Sequence, residues 1–274
     1  MDLIPPSNNF IINKKGFQLH FREFIKSPYP DAIFYFHGFN GNINKSYLQN
    51  FANMVLSSGI NFFALDFQGH GYSQGKPSYI EDYQDLIDDA ILFIKNRDKK
   101  HSFRKIALIG SSMGGAVVSQ VLSHFNEKVF GAVLLAPCFI INENNNNPKL
   151  EFLLENFFIK YLPETSIPKF LCSGIDPQHC FKNIPKNFSH NPNLPFKSAH
   201  SLIQLSKQCL NTTGIQKKIF IIHDPEDKIT SYQGSQIFTN FNPQTELIPL
   251  TNSLHNILYN DMDVVLVYIY KLFF

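Results

Sequence analysis

A serine lies between small residues where an apolar, β-branched run gives way to a helix-compatible one. Residues 105–118 read KIALIGSSMGGAVV, and the central segment Gly110–Gly114 has the pattern G-x-S-x-G. Where this pattern joins a strand to a helix, the sharp turn exposes the serine hydroxyl beside the free N–H groups of the helix N-terminus. The pattern predicts that Ser112 is a nucleophile. The alternative is a glycine-rich strand-to-helix turn with an inert serine.

A serine hydroxyl needs a base, and the base needs a carboxylate to orient it. On a parallel sheet, both partners are expected in loops at the C-terminal ends of strands. His255 lies in the loop after the last predicted strand and is the predicted base. Asp227 follows an earlier strand and is the predicted acid. Serine, acid and histidine then occur in one of the chain orders known for serine triads.

The loop of Asp227 offers alternatives for both partners. His223 could act as the base, although it is expected to end a strand. Asp224 and Glu226 could act as the acid. We favour Asp227 because Asp224-Pro225 is typical of a turn start, which leaves Asp227 further out towards the base.

A reaction at an acyl carbon also needs two donors for the oxyanion. The backbone N–H of Met113, directly after the nucleophile, is one predicted donor. The second is the Phe39 N–H, in the loop His37-Gly38-Phe39 after the first apolar strand. His37 and His70 precede the nucleophile, and we interpret both as polar support of tight loops.

The elements that position these residues follow from hydrophobic periodicity. Residues 10–24 predict a hairpin, and from 32 to 136 short apolar runs alternate with amphipathic segments. Such alternation predicts a parallel sheet with helices on both faces. The predicted strands lie at about 32–36, 60–65, 106–109 and 131–136, and the predicted helices at about 45–58, 81–97 and from 113.

The alternation breaks at Pro137. Residues 137–215 are rich in proline and asparagine and contain two helical candidates, at about 149–161 and 197–210. We expect a helical lid inserted into a core formed by residues 1–136 and 216–274. The core pattern resumes with a strand at 218–222, a helix at 231–240, a strand at 244–250 and one final, largely buried helix at 256–272.

The bulk composition disfavours several functions. The 274 residues carry a net charge of only +2, which gives no reason to expect a nucleic-acid partner. There is no basic, apolar leader, and the longest apolar run falls far short of the ~20 residues of a membrane-spanning helix, so a cytoplasmic location is expected. No zinc-type spacing and no dinucleotide fingerprint occurs, so we expect neither metal nor cofactor. A Cys172–Cys180 disulfide is conceivable, but reduced thiols are the simpler interpretation.

Taken together, these segments resemble the α/β-hydrolase superfamily. Within it they resemble the monoacylglycerol lipase and lysophospholipase group, also called the serine aminopeptidase S33 or hydrolase-4 type. The loop Asp66-x-x-Gly69-His70-Gly71-x-Ser73-x-Gly75 combined with Ser112-Met113-Gly114-Gly115 is fairly specific to this group. The matching segments run through almost the whole chain: His37-Gly38, 66–75, 110–115, Ala136-Pro137, His223-x-x-x-Asp227-Lys228 and His255.

The resemblance implies an α/β-hydrolase fold, with a mostly parallel eight-stranded sheet flanked by helices and a helical lid. The chain keeps all three triad positions but departs from the family elsewhere. The family usually has Arg, His and Gly where this chain has Gln68, Ser111 and Asn40. It usually has Gly and an acidic residue where this chain has Asp224 and Asn256.

The ordered triad and the resemblance together predict a serine hydrolase that cleaves carboxylic esters, with a single-chain lipid as the expected substrate. The apolar stretch at 150–159 could line an acyl pocket and contact a membrane surface transiently, or simply pack on the body of the protein. A peptidase is an alternative, in which Glu151 or Glu155 would hold a free amine. A non-catalytic ligand-binding protein is the third possibility. A dehalogenase is disfavoured because its nucleophile would be a carboxylate.

Overall fold

The computed structural model describes residues 7–25, 31–125, 127–141, 154–167, 189 and 193–274. Its centre is an eight-stranded sheet. The strands are β1 (Phe10–Ile12), β2 (Gln18–Phe24), β3 (Asp31–Phe36), β4 (Asn61–Leu65), β5 (Lys105–Ser111), β6 (Val129–Leu135), β7 (Lys218–His223) and β8 (Thr245–Pro249).

The strands lie in the order β1-β2-β4-β3-β5-β6-β7-β8. Strand β2 runs antiparallel to both β1 and β4, and every other neighbouring pair is parallel. The predicted mostly parallel, eight-stranded sheet is therefore confirmed. Because β5, β7 and β8 are parallel, the loops that carry Ser112, Asp227 and His255 leave the same edge of the sheet.

Helices cover both faces of the sheet. They are α1 (Ser46–Ser57), α2 (Tyr83–His101), α3 (Met113–Val121), α4 (Ile159–Tyr161), α5 (Phe196–Asn211), α6 (Tyr232–Phe241), α7 (Ile257–Asn260) and α8 (Met262–Phe273). A 3₁₀ turn, Leu122–His124, continues α3, and a π-helical turn, Leu154–Phe158, precedes α4.

An apolar core lies on each face of the sheet, so the inner strands are buried on both sides. In β3, Phe34 and Phe36 point to the side of α2 and α3, while Ile33 and Tyr35 point to the side of α1 and α8. The Phe34 ring packs against three further phenylalanine rings, those of Phe63, Phe93 and Phe103. An apolar run with this two-sided burial is typical of a central parallel strand.

The final helix differs from its prediction. A single helix over 256–272 is wrong, because the chain breaks at Asp261 into α7 and α8. The Asp261 carboxylate accepts a hydrogen bond from the Ser253 hydroxyl. The Asp261 carbonyl accepts one from the Val265 N–H in the first turn of α8. Val267 is 48% exposed, so α8 is also less buried than predicted. Helix α2 runs to His101, about one turn beyond its predicted end, and stops at Ser102 with φ +55°.

The predicted insertion is only partly within the described residues. Helix α5 confirms the helical candidate at 197–210 and contributes Leu202, Leu205 and Cys209 to the main core. Its neighbours α2 and α3 belong to the predicted core. Glu151, the Cys172–Cys180 pair and most of the stretch 137–195 lie outside the described residues. Within the described ranges, every helix is too short or too polar to cross a lipid bilayer.

Candidate active site

Ser112 occupies a strained turn between β5 and α3. Its φ of +53° and ψ of −116° are unusual for a residue with a side chain. The flanking glycines make this turn possible: a Cβ at Gly110 would clash with the backbone of Gly114, and a Cβ at Gly114 would clash with the carbonyl of Phe36. The turn is the geometry expected of a nucleophile held above a sheet.

The backbone of Ser112 is fixed by the neighbouring strand and the turn after it. Its N–H donates to the Leu135 carbonyl at 2.8 Å, and its carbonyl accepts from the N–H of Cys138 at 3.0 Å and of Gly115 at 2.9 Å. The serine side chain is partly exposed, whereas Met113 is buried. The hydroxyl is therefore presented from a rigid support.

The loop after β3 lies against this turn. A Cβ at Gly38 would be 3.0 Å from the Cβ of Ser112, so any other residue here would have to displace the serine by a few tenths of an ångström. His37 supports the loop from beneath: its Nδ1–H donates to the Gly38 carbonyl at 2.8 Å, and its Nε2 accepts from the Phe67 N–H at 3.1 Å. Burial lowers the pKa of His37, which keeps the ring neutral, as this pattern of bonds requires.

The predicted oxyanion donors are main-chain groups of this region. Phe39 directly follows Gly38, and Met113 directly follows Ser112. Among the described residues, neither N–H donates to another protein group. His70 packs edge-on against the Phe39 ring, at 5.7 Å between ring centroids, and its Nδ1 bonds the Gln68 carbonyl at 3.0 Å. His70, like His37, thus has a supporting position.

Asp66 joins the two loops around these donors. Its buried carboxylate accepts the N–H of Ile43 at 2.8 Å and of Tyr72 at 3.1 Å, the Asn44 amide at 2.9 Å, and His20 Nδ1–H at 2.7 Å. Burial raises the pKa of Asp66, but the hydrogen bonds that the carboxylate accepts from His20 and from the Ile43 N–H outweigh burial, so the pKa lies below its ordinary value. Asp66, the first residue of the loop 66–75, is therefore ionised, and its carboxylate holds this loop against the residues that follow Gly41.

The predicted acid and base form a pair. Nδ1 of His255 lies 2.7 Å from Oδ2 of Asp227. The same oxygen accepts the Thr230 hydroxyl at 2.9 Å and lies 3.3 Å from His223 Nε2, while Oδ1 accepts the Ile229 N–H at 2.7 Å. Burial raises the pKa of Asp227, but hydrogen bonds from His223 and His255 outweigh it, and the pKa falls well below its ordinary value. The carboxylate is ionised, so Nδ1 of His255 carries the proton.

The alternatives for base and acid are less suited to contact a substrate or the base. The His223 ring is fully buried, and its Nδ1 bonds the Ser235 hydroxyl at 2.8 Å, whereas the His255 side chain is 16% exposed. Glu226 is exposed and pairs with Lys228.

Asp224 has a role that the sequence analysis missed. Its Oδ2 accepts the N–H groups of Ser253 and Leu254, both at 2.8 Å, and its Oδ1 accepts the Glu226 N–H at 2.8 Å. Burial raises the pKa of Asp224, but these backbone hydrogen bonds outweigh it and lower the pKa. The side chain anchors the loop that ends in His255. The contact joins residues 29 and 30 positions apart, and the sequence carries no signal for it.

The remaining link runs between Ser112 and His255. In the described part of the chain, no hydrogen bond joins the Ser112 hydroxyl to His255. The two residues are related through the turn after β6. Thr230 Oγ1, which donates its proton to Asp227, lies 3.2 Å from the Ala136 carbonyl oxygen, and the Cys138 N–H donates to the Ser112 carbonyl. Thr230 Oγ1 in turn lies 3.4 Å from His255 Nδ1.

A parallel sheet with a strained serine after β5, an acidic loop after β7 and a histidine loop after β8 defines the α/β-hydrolase class. The sequence model of Hydrolase_4, serine aminopeptidase, S33, matches residues 28–263, and the chain belongs to this family.

Solved structures and curated proteins are similar to the chain to different extents. Mouse alpha/beta hydrolase domain-containing protein 10 has a TM-score of 0.71 at 18% identity and covers 97% of this chain and 98% of its own. A soluble variant of monoglyceride lipase from Saccharomyces cerevisiae, in complex with a substrate analogue, has a TM-score of 0.72 at 18% identity, covering 97% and 95%. These two likenesses support the fold.

Monoglyceride lipase of Mus musculus is 29% identical over 133 residues, which are 48% of this chain and 43% of that protein. The chain spans about half the length of the first curated relatives it matches. These matches support membership of the family and leave the substrate to be tested.

Proposed function

We propose that this protein is a serine hydrolase that cleaves carboxylic esters through an acyl-enzyme on Ser112. The observation that carries the proposal is the pair of Asp227 and His255, held at the same edge of the sheet as the strained turn of Ser112. A buried carboxylate that fixes the tautomer of an imidazole leaves its Nε2 free to take a proton.

In the proposed reaction, the Ser112 hydroxyl attacks the ester carbonyl and gives its proton to His255 Nε2. The N–H groups of Phe39 and Met113 stabilise the resulting oxyanion. His255 then protonates the departing alcohol, which leaves the acyl group on Ser112. A water molecule then gives a proton to His255 and attacks the acyl carbon. The bond from the acyl carbon to Ser112 Oγ breaks, His255 returns the proton to Ser112, and the acid leaves. Asp227 stays ionised throughout and stabilises the imidazolium.

The contact between Ser112 and His255 closes in this scheme when substrate binds. Hydrogen bonds between nucleophile and base are often loose without substrate and tighten in the reacting complex. His255 follows a loop whose Asn252 and Leu254 both have positive φ, of +66° and +50°. The anchors of this loop, from Asp224 and Asp261, act on Ser253 and Leu254, and the partly exposed imidazole of His255 follows them.

The proposed substrate is an ester of a single-chain lipid, as in a monoacylglycerol or lysophospholipid. Its support is the family, the curated relatives named monoglyceride lipase, and the apolar segment before α5. In that segment Phe158 stacks on Phe196 at 4.2 Å between centroids, whereas Phe157, Tyr161 and Leu162 are 50%, 59% and 41% exposed. Such residues could line an acyl path and touch a lipid surface transiently.

A peptidase on the same triad is the second candidate, favoured by the family's description as a serine aminopeptidase. Glu155, which would hold the free amine of a peptide, lies 3.8 Å from His200 on α5.

A panel of p-nitrophenyl esters from acetate to palmitate, compared with aminoacyl-naphthylamides, separates the two candidates. We expect ester turnover, higher with longer chains and absent in Ser112→Ala. Faster naphthylamide turnover would favour the peptidase. Equal ester turnover by wild type and Ser112→Ala would overturn both.

A further inference from the structure

Asn40 lies directly after the proposed oxyanion donor Phe39 and adopts the left-handed conformation, with φ +55°. Its side-chain oxygen accepts a hydrogen bond from the Ser78 hydroxyl. Ser78 is itself left-handed, with φ +57°, and is fully buried. Two non-glycine residues in this region of backbone space, joined to each other, indicate a contact that the surrounding structure holds in place.

Ser78 is held by the body of the protein. Its N–H donates to the Gly69 carbonyl at 2.8 Å, and its carbonyl accepts the Ser198 hydroxyl at 2.9 Å. Ser198 lies on α5 and also accepts the Ile80 N–H at 2.9 Å. Ser201, one turn later, donates to the Ile80 carbonyl at 3.1 Å. Buried hydroxyls of α5 therefore hydrogen-bond several main-chain groups of the segment 78–81.

We propose that Asn40 is a positioning residue for the reaction, a role that rests on the proposed function above. Its side chain ties the loop that carries the Phe39 N–H to Ser78 and, through Ser78, to α5. The Gly38 side of the loop is fixed by His37 and by the Gly41 N–H, which donates to the Gly38 carbonyl at 2.8 Å. Asn40 fixes the other side, so the peptide of Phe39 is held at both ends.

The tie acts on the transition state more than on substrate binding. Oxyanion donors contribute because they are already oriented when charge develops, and a donor that must reorient loses part of that benefit. Removing the hydrogen bond between Ser78 and Asn40 should therefore lower kcat and leave KM nearly unchanged. Because α5 lies within the predicted insertion, the tie also links that region to the catalytic centre by a continuous path of hydrogen bonds.

A double-mutant cycle with Asn40→Gly and Ser78→Gly tests this role. Glycine adopts positive φ readily, so both substitutions remove the side-chain bond without forcing the backbone. With a p-nitrophenyl ester, we expect each single variant to lose about 10-fold in kcat with KM within about twofold. The double variant should be no slower than the slower single one, because both remove the same interaction. Labelling by diethyl p-nitrophenyl phosphate, whose phosphoryl oxygen would use the same donors, should slow in parallel.

The matched control is Ser102→Gly, which changes an exposed serine with φ +55° at the end of α2 and should leave kcat unchanged. Thermal unfolding of every variant identifies loss of fold. If Asn40→Gly does not fold, Ser78→Gly carries the test, because it removes the donor and leaves Asn40 in place.

Ser112-dependent turnover with a kcat of Asn40→Gly within twofold of wild type, or strictly additive losses in the cycle, would overturn the positioning role alone. Wild-type turnover that survives Ser112→Ala would overturn the proposed function, and the positioning role would fall with it.

Discussion

His255 Nδ1 lies 2.7 Å from the buried Oδ2 of Asp227. These residues are 28 positions apart and follow different strands, yet the parallel sheet brings their loops to one edge. Because the carboxylate is ionised, the pair fixes which nitrogen of His255 carries a proton. This orientation is the one that the proposed role of His255 as a base requires.

Replacing Asp227 with Asn should remove this orientation while preserving shape. An amide can present its N–H to Nδ1 and stabilise the wrong tautomer, so we expect kcat for ester hydrolysis to fall by about 10³- to 10⁴-fold. Glu226→Gln is the matched control, because Glu226 lies in the same loop but is exposed and pairs only with Lys228 in the described structure. A loss in Glu226→Gln as large as that in Asp227→Asn would contradict the assignment of the acid.

Asp224→Asn should loosen the loop that carries His255. The substitution turns one acceptor oxygen into a donor facing main-chain N–H groups, so a buried donor loses its partner. We expect a loss of about 2–4 kcal/mol in the free energy of unfolding, measured by urea denaturation. The kcat of the folded fraction should fall as well. Full stability in this variant would show that the anchor is dispensable.

Asp89 should make stability depend on pH. Burial raises the pKa of Asp89 to about 7, an effect that the Asn13 hydrogen bond opposes and the nearby Asp85 and Asp88 add to. In the unfolded chain the pKa of this carboxyl is the ordinary value of about 3.9. Between about pH 4 and 7 the Asp89 carboxyl is therefore protonated in the folded state and ionised in the unfolded state. The contribution of this group to stability therefore falls as pH rises through that window, and the penalty remains above pH 7.

Asp89→Asn should abolish that penalty. In urea unfolding at pH 5 and pH 8, the stability gained over wild type should be larger at pH 8. Asn13 can still donate to the amide oxygen, so its bond is retained. An equal gain at both pH values, or a loss at pH 8, is the contrary result.

Gly38→Ala should impair the reaction with little effect on the fold. The new methyl group would lie 3.0 Å from the Ser112 Cβ and 3.6 Å from its hydroxyl oxygen. It would push the serine and the oxyanion loop apart, and we expect a fall of about 10- to 100-fold in kcat/KM, consistent with loss of an aligned donor. Unchanged turnover would mean that the Gly38 backbone does not border the reaction.

The sequence predicted what depends on local pattern. The apolar runs of β3 to β7 and the glycines around Ser112 have strong signals, because buried parallel strands and a tight turn restrict residue type. Contacts between distant polar side chains and main-chain groups have no such signal. Asp224 bonding Ser253, and Ser78 bonding Asn40, therefore emerged only from the three-dimensional arrangement. The break at Asp261 coincides with three polar residues, Asn260, Asp261 and Asp263, but apolar residues at helical spacing on both sides of it favoured one continuous helix.

The central claim is that Ser112 is an activated nucleophile, and a fluorophosphonate probe followed by intact-protein and peptide mass spectrometry tests it directly. We predict one covalent adduct per chain, located on Ser112, absent in Ser112→Ala and formed far more slowly in Asp227→Asn. No adduct on the folded wild-type protein, or an adduct that persists on another residue in Ser112→Ala, would contradict the account.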